Sequence, residues 1–114
     1  GTAWSLGTLT YVNSFLVSSE ELDPTALYVK PDGTKFWIVG TINDTIYEYT
    51  MGTPWDITTS VYSGNSLLVS SVDATVNGIR FHPDGTKFYL LGTTADILTE
   101  YSCTAWTIVG AVAT

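Results

Sequence analysis

The chain has 114 residues, 45% hydrophobic and 13% charged, a globular composition well away from the polar, highly charged regime of disorder. Eleven acids against four bases give a formal charge of −7, which excludes the basic footprint of a nucleic-acid binder and disfavours anionic membrane surfaces. No stretch approaches the ~18 uncharged apolar residues of a membrane helix, so no membrane insertion is expected.

Residues 2–4 spell TAW, and LTYVNSFLVSS at 9–19 is rich in β-formers and reads as a strand. TALYVK at 25–30 reads as the next strand and runs into Pro31-Asp32-Gly33. Proline presets φ at the start of such a turn and glycine accepts positive φ at its end, so a hairpin is expected. TKFWIVGT follows at 34–41, then a turn with Asn43-Asp44, the strand TIYEYT at 45–50, TPW at 53–55 and a strand within SVYSGNSLLVSS at 60–71. The series then begins again. NGIRFH, Pro83-Asp84-Gly85, TKFYLLGT, Ala95-Asp96, ILTEYS and TAW occupy 77–106 in the same order. No segment carries a convincing 3.6-residue apolar period.

The recurrence is quantitative. Residues 13–50 align with 65–102 without a gap and share 17 identities over 38 positions. Trp4, Trp55 and Trp106 are spaced 51 residues apart in both steps. The chain therefore divides into repeat 1 at about 1–51, repeat 2 at about 52–103 and the opening of a third at 104–114. That last segment duplicates the part played by residues 2–12, and it reads as a shared or closing strand.

Phe36-Trp37-Ile38-Val39 and Phe88-Tyr89-Leu90-Leu91 are apolar on both alternating faces. A strand of that kind calls for a layer above and a layer below it. Four-stranded antiparallel sheets stacked face to face, with a period near ~50 residues, are the arrangement of β-propeller blades. The fold class expected is all-β, with two four-stranded antiparallel blades per chain.

The PDGTK turn, the Asp44 or Asp96 turn, Glu48-Tyr49 or Glu100-Tyr101, and the T-[AP]-W marker together resemble β-propeller repeats of the NHL and YVTN-like kind. They look most like tandem repeats of phage and bacterial surface proteins. The resemblance implies a propeller and an extracellular or virion-surface setting; propellers serve many functions, so it does not fix an activity. Two blades cannot close a ring of the usual 4–8. The expectation is a cyclic homo-oligomer of three to five chains, joined head to tail.

No catalytic set stands out. His82 is replaced by Lys30 in the other repeat, no G-x-S-x-G elbow is present, and no calcium-loop spacing occurs. Neither metal nor other cofactor is called for, and Cys103 reads as a small apolar strand residue. Asp32, Asp44, Asp84 and Asp96 read as turn residues, Glu48 and Glu100 as architectural, and the three tryptophans as structural anchors. Ligand contacts are more informative where the repeats differ. EELDPT at 20–25 diverges from VDATVN at 72–77, as do Tyr28 from Arg80 and Lys30 from His82. These connections and the turns at 41–44 and 93–96 are expected at one end of the ring, where loops on a rigid scaffold bind ligands. The candidate contacts are Glu21, Asp23, Tyr28, Asn43, Asp73, Asn77 and Arg80. A non-enzymatic scaffold recognising glycan or surface protein is the first reading. A metal-dependent hydrolase-type propeller and an excised or engineered building block are its rivals.

Overall fold

The computed structural model describes Gly1–Thr114 and contains eight strands. β1 (Pro24–Val29), β2 (Lys35–Gly40), β3 (Thr45–Met51) and β4 (Ser60–Leu68) form one antiparallel sheet in chain order. β5 (Val76–Phe81), β6 (Lys87–Gly92), β7 (Leu98–Ser102) and β8 (Val112–Ala113) form a second with the same topology. The same sheet is thus built twice, each taking its outer strand from the start of the following repeat. Helix is confined to two single 3-10 turns, Leu6–Thr8 and Ile57–Thr59.

The Pro-Asp-Gly turns do what their residues dictate. Gly33 and Gly85 take φ of 74° and 77°, and each N–H bonds back to the carbonyl of Lys30 or His82 at 2.8 Å. The Asp32 and Asp84 carboxylates accept from the N–H and hydroxyl of Thr34 and Thr86. Those bonds favour the ionised form, and they hold the Asp32 carboxyl down at about 2. Asp44 and Asp96 enter the third strands at φ of 50° and 55°. Trp55 and Trp106 then fold back over the turns, their N–H groups bonding the Gly33 and Gly85 carbonyls at 3.0 and 2.8 Å. Each indole lies where a Cβ on the glycine would stand, so both anchors need glycine beneath them.

The sheets pack through β1 and β2 of the first against β5 of the second. Trp37 lies tilted against Phe81 at 4.3 Å and Trp106 stacks on Trp37 at 6.0 Å, with Tyr28 5.5 Å from Phe81. Val39, Ile79, Phe88, Leu90 and Val69 complete one continuous core. The Thr25 hydroxyl crosses the junction to the Val76 carbonyl at 2.7 Å.

Two sequence expectations change. Residues 9–19 are not a strand: they have no third strand beside them in their own chain, and no backbone hydrogen bond forms between Thr10 and Leu16. The C-terminal segment, read from the sequence as a shared or closing strand, supplies the outer strand of the second sheet at Val112–Ala113. Phe36–Val39 is buried on both faces, whereas Leu91 in the matching strand is 54% exposed. One chain contains one sheet-to-sheet contact, so the Tyr89 and Leu91 side has no neighbour.

Candidate functional site

At one end of each sheet a carboxylate fastens two connections together. Glu21 is fully buried and accepts N–H groups from Asp23, Ile42 and Asn43 at 3.0–3.2 Å. Asp73, one repeat later, accepts from Thr75, Thr94 and Ala95 at 2.7, 3.3 and 2.9 Å. The Ala95 and Thr75 N–H groups hold the Asp73 carboxyl below the usual range. A Cβ on Gly40 or Gly92 would overlap these carboxyl groups, so each glycine makes room for its acid. Glu21 and Asp73 therefore spend their oxygens inside the protein, building the loops.

The other candidates lie further out. Asp23 is exposed and accepts the Thr41 hydroxyl, while the Asn43 amide donates to the Glu20 carbonyl at 2.6 Å. Asn77 is exposed and donates to the Thr93 hydroxyl at 3.1 Å. Glu21, Asp23 and Asn43 thus share one loop cluster, with Asp73 and Asn77 in its counterpart. Tyr28 stands apart, half-buried between Trp37 and Phe81. Arg80 is exposed and forms no ion pair; with Asn77, Gly78, Tyr89, Leu91 and Leu98 it borders an open groove of about 470 Å³.

A second groove of about 480 Å³ covers the opposite side of the first sheet. It is lined by Leu27, Val29, Phe36, Ile38, Met51 and Trp55, and Phe15 and Val17 of the N-terminal segment cross it. Phe15 meets Tyr49 edge-on at 5.8 Å and Phe36 at 6.5 Å. Sequence reading did not list this surface among the binding residues, although the two-faced apolar run at 36–39 signalled it.

Glu48, read from the sequence as architectural, sits in a buried polar cluster whose Trp37, Ser63 and Asn65 members the sequence reading did not link to it. Glu48, 1% exposed, accepts the Trp37 indole N–H at 3.2 Å, the Ser63 hydroxyl at 2.8 Å and the Asn65 amide at 2.9 Å. Lys35 lies 3.5 Å from the same carboxylate. Glu100 holds the matching place in the second sheet but has fewer partners: the Thr114 hydroxyl at 2.9 Å and Lys87 at 3.6 Å. Thr114 and Lys87 keep its carboxyl below the ordinary range. His82 sits 2.8 Å from Asp84, and no three His, Cys, Asp or Glu side chains gather closely enough to hold an ion. Burial pushes the Cys103 thiol up, away from the reactive thiolate.

The surface thus offers two largely apolar recesses, which share Ala26 and Leu27, and a rim of exposed polar side chains on the connecting loops. Compared with known proteins, the chain matches no family model and no curated protein.

Proposed function

We propose that this chain is a non-enzymatic β-propeller scaffold, two blades wide, that closes a ring with copies of itself. The loop end of that ring would recognise glycan or protein on a virion or cell surface. The observation that carries the reading is the paired open flanks. Each sheet buries one face against the other and leaves the opposite face apolar, with Leu27 at 59% and Trp55 at 62% exposure on one side and Leu91 at 54% and Leu98 at 67% on the other. Apolar surface of this kind marks an interaction site. If each flank leaves ~400 Å² uncovered, covering it is worth roughly 10 kcal/mol at ~25 cal/mol per Å², comparable to the whole stability of a small domain.

The recognition half of the reading rests on how the repeats differ. Glu21 and Asp73 do the same job, so the loop framework is shared. The outward residues are not: Asp23 faces Thr75 in the alignment, Asn43 faces Ala95, and Tyr28 faces Arg80. A scaffold that keeps its loop pins and varies its loop surface suits selective binding. Native mass measured across a concentration series tests the assembly, with three to five chains expected and a stable monomer at every concentration refuting it. Glycan-array and cell-surface binding of Asp23→Ala and Arg80→Ala proteins tests the recognition; retention of all binding by both would reject this rim.

A further inference from the structure

We infer that the second sheet of another copy occupies a slot on the open flank of the first sheet, edge to edge with the N-terminal segment, which becomes its missing outer strand. This rests on the ring reading above and specifies its contact residue by residue.

The slot is visible from the repeat. At the internal junction, Ala26, Tyr28, Trp37 and Val39 of one sheet face Ile79, Phe81, Phe88 and Leu90 of the next. One repeat along, the first group becomes Gly78, Arg80, Tyr89 and Leu91, which border the open groove on the second sheet. One repeat back, the second group becomes Leu27, Val29, Phe36 and Ile38, which line the open groove on the first. Each outer flank, the first covered only by Phe15 and Val17 and the second uncovered, is therefore the repeat-equivalent of a surface already paired inside the chain. The same substitution carries the Lys30 ammonium, 5.4 Å from the Trp106 ring, to His82 of one copy over Trp55 of the next.

The N-terminal segment marks the position of the absent sheet. Val69, buried at the internal junction with Leu67 beside it, closes the outer strand of the first sheet. Their equivalents, Phe15 and Val17, lie on Phe36 and its neighbours in the corresponding place. Residues 10–16 thus lie where an outer strand belongs, with their backbone unpaired. Leu9, Tyr11, Val12 and Leu16 are 73–80% exposed.

The second sheet lacks what that segment offers. In the first sheet Thr45, Ile46 and Tyr47 pair with Leu68, Leu67 and Ser66. Their counterparts Ile97, Leu98 and Thr99 have no partner beyond β7, because β8 pairs only with Tyr101 and Ser102. Leu16, Phe15 and Ser14 of a second copy match them in register. The side chains agree as well. Thr114 bonds Glu100 at 2.9 Å as Ser63 bonds Glu48 at 2.8 Å, but nothing stands where Asn65 donates to Glu48. The residue equivalent to Asn65 is Asn13. Its amide completes the Glu100 cluster across the contact.

The test uses the full-length chain. Native mass and light scattering of the unmodified protein should give a closed multimer. Ser14→Pro removes a backbone donor from an exposed segment that makes no backbone bond in its own chain, so circular dichroism should stay unchanged while the half-assembly concentration rises roughly tenfold or more. In a Cys103→Ser background, Ser14→Cys combined with Thr99→Cys should oxidise to intermolecular disulfides, giving a ladder on non-reducing gels. A multimeric parent with Ser14→Pro assembling equally well and no ladder forming would overturn this contact while leaving the ring reading standing. A parent that stays monomeric at every concentration would overturn both.

Discussion

Phe81→Ala removes the side chain on which the junction between the two sheets turns. The ring is 6% exposed and lies 4.3 Å from Trp37, 5.2 Å from Phe88, 5.3 Å from Trp106 and 5.5 Å from Tyr28. Two of those rings belong to the first sheet, so the loss falls on the junction rather than within one sheet. Losing the transfer free energy of a buried phenylalanine and opening a cavity among aromatic neighbours should cost about 3–5 kcal/mol. With a urea slope of about 1.5 kcal/mol per M for a domain of this size, the unfolding midpoint should fall by roughly 2–3 M. Tryptophan fluorescence is a direct probe, because Trp37 and Trp106 border the new cavity. Leu91→Ala, on the uncovered flank, is the control: in dilute monomer its loss should stay within about 0.5 kcal/mol. A Phe81→Ala midpoint within about 0.3 M of the parent would refute the view that the two sheets stabilise one another.

Glu48→Ala should destabilise by about 2–4 kcal/mol, since it strands the Trp37, Ser63 and Asn65 donors and Lys35 together; Glu100→Ala, with fewer partners, should lose markedly less in the same urea titration. Gly33→Ala and Gly85→Ala force a Cβ into the Trp55 and Trp106 rings at φ of 74° and 77°, so each should lower stability by about 2 kcal/mol or more by thermal melting. Unchanged melting temperatures would contradict the anchor role of the indoles. Asp32, Asp73, Asp84 and Glu100 have depressed pKa values in the fold, so the unfolded chain takes up protons first. Their stabilisation is complete above pH 4.5, the unperturbed glutamate value, and drains away as pH falls towards about 2, where Asp32 titrates. Urea midpoints at a series of pH values should show this, with a shallower acid slope for Asp32→Asn; a midpoint constant from pH 5 to 2.5 would contradict it.

Much of the strand plan was legible because it rests on local chemistry. The Pro-Asp-Gly turns, the Asp44 and Asp96 turns and the two-faced run at 36–39 are each decided by a few adjacent residues. The strand expected at 9–19 was not realised for a different reason. Its sequence matches 61–71, but a strand exists only where a partner edge lies beside it, and none does in this chain. The sheet that takes 112–113 as its outer strand illustrates the same rule in reverse. Among the candidate site residues, Glu21 and Asp73 stood out for sitting in divergent connections, yet the divergence is in length of side chain rather than in task. Both are buried loop pins. Glu48 was recognised as architectural from its recurrence, but its partners Ser63 and Asn65 lie in a distant strand, which no spacing rule connects. Gly64, at φ 89°, interrupts β4 between those two partners and is the extra residue that makes Trp55 to Asn65 one longer than Trp4 to Asn13.

Trp4 takes φ of 61°, beside 66° for Trp55 and 59° for Trp106, although it is fully solvent-exposed and has no glycine to cover. The bend is therefore written into its own few residues and does not wait for a seat. An indole held ready at an angle that ordinary side chains avoid loses little freedom when it lands. Duplicating such a unit transmits a complete, self-shaping clasp with every copy, so a growing array needs no new instruction to fasten each added member to the last.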